Sequence, residues 1–245
     1  MNEIKHIETI TEMHRMLPGK SVKHPLVALI DFSNYNEPFP EGTRFTMGFY
    51  TVLFKNRCVN KLKYGQQTYD FQDGSLMCIA PRQVITLAEP DTEGEEVRGW
   101  GLFFHPDFIR GTSLGKNIKA YSFFDYQTSE ALHLSDKEKQ NLCEIAQKID
   151  RELSENIDRH SQMLLASNIE LLLNYCVRYY DRQFITRTNA NQDVLMKVDE
   201  VLADYFQQGN LSEKGLPSVK QLAEQVHLSP NYLSDMLKRE TGMNA

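Results

Sequence analysis

The clearest hydrophobic pattern in this sequence lies near its C-terminal end, between Val219 and Lys238. Apolar residues recur there at helical spacing on both sides of a short interruption, at Leu222, Ala223, Val226, Leu228, Leu233, Met236 and Leu237. That spacing predicts two short helices that cross over a small shared core and are joined by a tight turn at 227–229. The second helix of such a unit can enter the major groove of DNA, whereas a generic helical hairpin has no such partner.

Local residue chemistry supports these two helices. Ser218 and Ser229 each stand where a hydroxyl can cap a helix, and Pro230 takes the first position of the second helix, where its missing N–H costs nothing. His227 falls at the turn position that often needs a positive φ, which His tolerates better than most residues other than glycine. These signals favour a helix-turn-helix over a generic hairpin.

Residues 1–134 show a different pattern, in which short runs of aromatic and β-branched residues are bounded by Gly, Pro, Asp and Asn. The strand-length runs include 45–54, 75–80 and 100–104, and a tight-turn pair stands at 73–74. Many short strands with turns between them are typical of a β-barrel or a jelly roll. We therefore expect an α+β protein whose N-terminal part is a barrel or a jelly roll.

A helical region follows at 135–182. Ser135 and Glu138 form a capping box, and a break near 156–158 precedes a second helix. This second helix is apolar on more than one face between 163 and 173, so that two of its sides must be buried. We expect one side to meet a second copy of the chain, which makes the region a dimerisation segment. The expected dimer contacts are Leu164, Leu165, Asn168, Leu171 and Leu172.

A short polar stretch separates this region from the C-terminal helices. Residues 183–192 lack periodicity, and we expect them to form a linker. Residues 193–245 are then a terminal helical subdomain, in which an amphipathic helix around Val198 packs on the helix-turn-helix.

The composition is that of an ordinary globular protein, and the net charge does not indicate DNA binding. Hydrophobic residues make up 41% and charged residues 24% of the 245 residues, with no apolar run of membrane-spanning length and no signal peptide. The net charge is −6, and 191–245 holds five Lys and Arg against eight Asp and Glu, a net charge of −3. A DNA reader usually carries a basic footprint, so the charge weakens the expected affinity. The four scattered cysteines are expected to be reduced thiols of a cytoplasmic protein.

The order of barrel, two helices, linker and helix-turn-helix resembles the AraC/XylS family of bacterial transcription regulators. The resemblance is most specific at 216–242, which reads LPSVKQLAEQVHLSPNYLSDMLKRETG. Gly65, 69–76, 80–83 and 103–108 are similar to the cupin-like N-terminal domains of that family. The resemblance covers essentially the whole chain and is weaker in the barrel region.

The resemblance implies a regulator in which a sensing and dimerisation domain controls a DNA-binding domain. The implied domains are a cupin-like effector-sensing barrel at 1–134, a dimerisation segment at 135–182, a linker at 183–192 and a first helix-turn-helix subdomain at 193–245. Family members carry two helix-turn-helix units, and this sequence ends where the helix that connects the two would begin. We therefore expect a fragment, or less readily a natural single-unit regulator, that binds promoter DNA weakly.

The second helix of the unit is the expected recognition helix, and its apolar positions should face inward. The residues expected to contact DNA are Ser229, Asn231, Tyr232, Ser234, Asp235, Lys238 and Arg239. Asn231 can read adenine, and Tyr232 can touch a thymine methyl or a phosphate. Lys238 and Arg239 suit phosphates. The alternative interpretation of these positions is a solvated helix face.

Signals for catalysis are mostly negative. Metal-dependent cupins use a His-x-His pair with a following Glu and a later His, and the matching stretch at 65–71 holds no His. His105 is expected to be a structural residue at the end of a strand. We expect no metal, no cofactor and no enzyme activity. The alternative class is a metal-free cupin-type enzyme or small-molecule-binding protein with a helical appendage.

A barrel without a metal can still hold a small-molecule effector. The candidates for lining such a pocket are Tyr50, Tyr64, Tyr69, Trp100, Arg44, Arg57 and Arg82. Core packing or a solvated edge explains each of them equally well, so the sequence leaves the effector pocket unknown. The expected partners are promoter DNA, an effector of unknown identity and a second copy of the chain, with no membrane.

Overall fold

A computed structural model of the chain describes residues 4–16, 23–32, 44–55, 62–64, 67–69, 74–86, 99–207 and 215–243. The strands in these ranges are β1 (Ile4–Ile7), β2 (Val27–Asp31), β3 (Arg44–Met47), β4 (Tyr50–Lys55), β5 (Leu62–Tyr64), β6 (Gln67–Tyr69), β7 (Ser75–Ile79), β8 (Ile85–Thr86), β9 (Gly99–Phe104) and β10 (Leu132–His133). The α-helices are α1 (Ile10–Met16), α2 (Pro106–Ile109), α3 (Ser113–Asn117), α4 (Asp136–Ser154), α5 (Ser161–Thr186), α6 (Thr188–Gln207), α7 (Val219–Gln225) and α8 (Pro230–Thr241). Short 3-10 helices lie at Ile118–Ala120, Ser122–Asp125 and Thr128–Glu130.

The main sheet is antiparallel and five-stranded, in the order β10-β7-β4-β9-β2. Successive residues of its strands point into two different apolar clusters. Val52 and Leu102 join α4 and α5 in one cluster. Ile79 and Phe103 join α1 and the small β1-β3-β8 sheet in the other. The main sheet is therefore the middle of three layers, with long helices on one face and the small sheet on the other.

The expected closed, cupin-like barrel is wrong. Among the strands that are described, the sheets stay separate, and the main sheet ends at β2 on one side and β10 on the other. The burial of β7 and β9 gives the reason, because both strands are buried on both faces. In a barrel of this kind the outer face of each strand would meet solvent, whereas here α4 and α5 cover it. The fold belongs to the general α+β class without the barrel.

The helical hairpin of α4 and α5 begins and bends where the sequence indicates. Ser135 and Glu138 form the predicted capping box at the start of α4. The interruption between α4 and α5 includes the predicted break at 156–158. Residues 183–192, expected as a linker, are instead helical, because α5 continues to Thr186 and α6 starts at Thr188. The sequence shows no helical pattern here because the buried residues include the polar side chains Gln183, Arg187 and Asn191. The buried face is therefore not marked by an apolar stripe.

The helix-turn-helix forms as predicted in α7 and α8. The Ser218 hydroxyl caps α7, the Ser229 hydroxyl caps α8, and Pro230 is the first residue of α8. His227 in the turn has a φ of 58°, the left-handed conformation that its position predicts. Ala223 is fully buried where the two helices cross, as its size requires. Within the ranges given above, no helix combines the length and apolar character needed to cross a bilayer.

Candidate nucleic-acid interface

The N-terminal half of α8 does not face open solvent but packs on the region that precedes α4. The contact is made by residues 122–130, which we call the docking segment and which contains two of the 3-10 helices. Polar groups of α8 and of this segment pair with each other over sequence separations of about a hundred residues. The candidate DNA-reading surface is thus also an intramolecular interface.

Glu130 binds the start of α8 directly. Its carboxylate accepts hydrogen bonds from the Ser229 backbone N–H at 2.7 Å and from the Ser229 hydroxyl at 2.5 Å. It also accepts one from the backbone N–H of Gln127 at 2.7 Å. Burial raises the pKa of the Glu130 carboxyl, and the hydrogen bonds from Ser229 and Gln127 oppose that rise. Both Glu130 and Ser229 are buried, so this pair is out of reach of solvent.

Two further α8 side chains pair with the docking segment. The Asp235 carboxylate accepts hydrogen bonds from the Ser122 hydroxyl at 2.5 Å and from the Tyr126 hydroxyl at 2.6 Å. The Asn231 side-chain amide donates to the Asp125 carboxylate at 3.0 Å. Three of the residues expected to contact DNA, including Ser229, are therefore held by partners within the same chain.

Tyr232 is not an outward-facing residue, which corrects the expected role in DNA contact. Its side chain is fully buried. Its ring packs edge-on against Tyr126 at 5.1 Å between centroids and lies tilted against Phe184 at 5.0 Å. Helical spacing alone did not reveal this, because Tyr232 lies beside the apolar stripe of α8 and is covered by groups from the docking segment and from α5. Tyr232 belongs to the core that joins the two parts of the chain.

The C-terminal half of α8 is more open. Ser234 is half-buried, and Lys238 and Arg239 are exposed. The Arg239 guanidinium forms an ion pair with Asp181 and lies 5.9 Å from the centre of the Phe184 ring. Lys238 therefore remains the basic residue of α8 best placed to meet a phosphate.

The candidate pocket residues do not converge on one cavity. Tyr50 stacks on Phe104, and Trp100 is buried against Phe54, so both are packing residues. Arg44 and Arg82 are exposed. Arg57 and the side chains of Tyr64 and Tyr69 lie outside the described residues.

A small cavity does lie beside the docking segment, with Phe123, Tyr126, Ala131 and Tyr180 in its wall. Its volume of about 10 Å³ suits a single water molecule and no larger ligand. Among the described residues, this cavity therefore has no room for an effector, and the effector pocket stays unknown.

Metal-binding side chains do not cluster in the part of the chain that the structure describes. His105 follows β9 and caps α2, since its ring nitrogen accepts the Asp107 backbone N–H at 3.2 Å. This is the structural role at a strand end that the sequence predicts.

A second surface lies on α5, opposite the core. Leu164 and Leu171 are 43% and 40% exposed. Leu165 and Leu172, which were expected beside them as dimer contacts, are buried in the protein's own core and are not available to a second copy. The Asn168 amide donates to the Leu164 carbonyl at 2.9 Å within the same helix.

The sequence did not point to Asp125, Tyr126 or Glu130 as functional residues. The one local signal was the pair of Gln127 and Glu130 at capping-box spacing, and the box does form. Nothing in that spacing indicates that the same carboxylate reaches Ser229.

Comparison of the sequence with protein-family models finds no match, and comparison with curated proteins finds none either.

Proposed function

We propose that this protein is a DNA-binding transcription regulator of the AraC/XylS type. The observation that carries the proposal is the geometry of α7 and α8. Two short capped helices cross at a fully buried alanine and are joined by a tight turn with His227 at positive φ. This is the arrangement in which a second helix is presented to the major groove, with its N-terminal residues toward the base edges.

Charge argues for weak binding by one copy. The segment 191–245 carries a net charge of −3, and of the two exposed cations of α8, Lys238 and Arg239, the second is paired to Asp181. Affinity for DNA depends on the number of phosphates that cations neutralise, so long-range attraction is small here. Two copies on adjacent half-sites would raise the affinity through a high effective concentration.

The α5 surface supports a homodimer. Met163, Leu164 and Leu171 lie on one exposed side of a helix whose opposite side is buried in the core. Water-exposed leucines at a seven-residue spacing are typical of a helix that pairs with a copy of itself. In the proposed regulator this dimer stands in the bacterial cytoplasm, and the three-layer N-terminal region carries the sensing role.

The test is selection of bound sequences from a random duplex pool, followed by a binding titration of the selected sequence. A sequence-specific DNA-binding protein should enrich one motif and bind it at least tenfold more tightly than a scrambled duplex of the same length. A pool that stays random after repeated rounds at low salt, both for the unmodified protein and for variants that release α8 from the docking segment, would exclude the proposed function. Sedimentation of the same sample reports the number of copies bound per duplex.

A further inference from the structure

The start of α8 is occupied by a group with the chemistry of a phosphate. In a DNA-bound helix-turn-helix, the N-terminal N–H groups and the cap hydroxyl of the second helix are the donors that face the DNA backbone. Here the Ser229 N–H and hydroxyl both donate to the Glu130 carboxylate, at 2.7 Å and 2.5 Å. A carboxylate, like a phosphate, is an anionic oxygen acceptor that the positive end of the helix dipole stabilises.

The groups that would read bases are engaged in the same way. Asn231, the best candidate for recognising adenine, donates to the Asp125 carboxylate. Asp235 accepts from Ser122 and Tyr126. Each of these contacts comes from the docking segment, and each uses a hydrogen-bonding group that DNA would need.

We infer that the docked arrangement is a closed state, in which the docking segment covers the recognition helix as an internal competitor of DNA. This inference rests on the proposed function, since only a helix that reads DNA can be closed against it. DNA binding then requires α8 to leave the docking segment. A duplex cannot lie against Ser229 and Asn231 while Glu130 and Asp125 hold them.

Opening the closed state has an identifiable energetic cost. Release of α8 from the docking segment separates the Tyr126 and Tyr232 rings and leaves the buried Glu130 carboxylate without its Ser229 donors. Aromatic contacts and buried charged hydrogen bonds together stabilise the closed state. DNA that binds only the open state must offset the free-energy difference between the closed and open states. The apparent affinity for DNA is therefore the affinity of the open state multiplied by the fraction of molecules that are open.

The sharpest opening variant is Ser122→Glu. It replaces the hydroxyl that donates to Asp235 with a carboxylate beside a carboxylate. The matched control is Ala120→Glu, which adds the same charge at an exposed position two residues earlier. A second opening variant, Asp125→Ala combined with Glu130→Gln, removes the anionic competitors without adding charge. Circular dichroism of each variant reports whether the fold is retained.

Two measurements separate opening from DNA binding. Hydrogen exchange at the Ser229 amide reports docking without DNA, because this N–H donates to the Glu130 carboxylate in the closed state. Fluorescence anisotropy with a labelled mixed-sequence duplex at low salt reports binding, which is dominated by phosphate contacts under those conditions. We expect both opening variants to exchange the Ser229 amide at least tenfold faster and to bind the duplex at least tenfold more tightly. The Ala120→Glu protein should match the unmodified protein in both.

The contrary outcomes are distinct. Faster exchange with unchanged duplex affinity, in a protein that does bind DNA, would show that docking does not compete with DNA and would overturn the inference alone. Unchanged exchange in both opening variants would show that these contacts do not hold α8 and would also overturn it. Faster exchange in proteins that bind no duplex at all would exclude the proposed function and the competition with it.

Discussion

The Ser229 hydroxyl links Glu130 to the first turn of α8. It donates to the Glu130 carboxylate at 2.5 Å and accepts the Tyr232 backbone N–H at 3.2 Å. One oxygen therefore caps α8 and binds that helix to the docking segment. In contrast, Ser218 caps α7 at an exposed position, where its hydroxyl bonds only with Gln221 among the described residues.

This difference predicts unequal costs for the same substitution. Ser229→Ala should lower the free energy of unfolding by about 2–3 kcal/mol, because a cap is worth about 1 kcal/mol and a buried carboxylate loses a donor as well. Ser218→Ala should cost only about 1 kcal/mol. Urea unfolding monitored by circular dichroism measures both values. Equal losses in the two variants would mean that the Glu130 contact contributes nothing to stability.

The α5 surface predicts a dimer that one charge can split. Leu171→Lys should give monomers, because a lysine at a 40% exposed position is tolerated by the monomer but not in an apolar interface. Sedimentation velocity at micromolar concentration distinguishes the two species. Ile157→Lys is the control, since Ile157 is 65% exposed in the connection between α4 and α5. A monomeric unmodified protein would contradict this prediction.

We expect protonation of His133 to lower the stability of the folded protein in mild acid. Burial, with Arg187 and Arg182 nearby, lowers its pKa from 6.5 to about 4. The folded protein therefore prefers neutral His133, so this contribution is present above pH 6.5 and is lost as the pH falls from 6.5 toward 4. The shift corresponds to about 3 kcal/mol.

The measurement is the free energy of unfolding between pH 7 and pH 4 for the unmodified protein and for His133→Gln. The unmodified protein should lose more stability over this interval than the variant, which has no imidazole to protonate. His160→Gln, at an exposed position, should follow the unmodified protein. Parallel pH profiles for the unmodified protein and His133→Gln would show that His133 is not the responsible group.

We expect Lys238 to contact a DNA phosphate and so to contribute equally to binding of any DNA sequence. Lys238→Ala should weaken binding to the selected duplex and to a scrambled duplex by the same factor, and should reduce the slope of log affinity against log salt by about 1. Lys148→Ala removes an exposed charge from α4 and should change neither quantity. A loss confined to the selected duplex would instead make Lys238 a base-reading residue.

We expect Asn231, in contrast, to contribute to the preference for particular DNA sequences. Asn231→Ala, made in the Ser122→Glu background so that α8 is released, should relax the preference at one base position by about 1–3 kcal/mol. Repeating the selection from the random duplex pool with the variant measures the preference at each position. An unchanged motif would remove Asn231 from the base-reading set.

Local chemistry determined what could be predicted from the sequence. Caps and turns depend on residues within four positions of each other, so the start of α4, the start of α8 and the His227 turn were all predicted and are all confirmed. Strand pairing is a long-range property. The apolar runs around β7 and β9 predicted strands in the right places, but the runs do not say which strands are neighbours or that helices cover one face.

The candidate site was predicted only in part for the same reason. The sequence predicted α8 itself but placed Tyr232 outward, and the residues that hold Ser229 and Asn231 lie about a hundred positions earlier. The same limit applies to α5, where an apolar stripe on two faces indicated double burial without saying which leucines belong to which side. Leu164 and Leu165 are neighbours in sequence, yet Leu164 is exposed and Leu165 is buried.

The near-continuity of α5 and α6 has a geometric consequence for a dimer on DNA. Arg187 alone separates the two helices, and its side chain is buried. In a dimer built on α5, that junction would fix the distance and the angle between the dimer axis and each helix-turn-helix. One residue inserted at the start of α6 would advance everything beyond it by about 100° of helical phase and 1.5 Å of length. The spacing of the operator half-sites that such a dimer fits would therefore depend on the number of residues at this one junction.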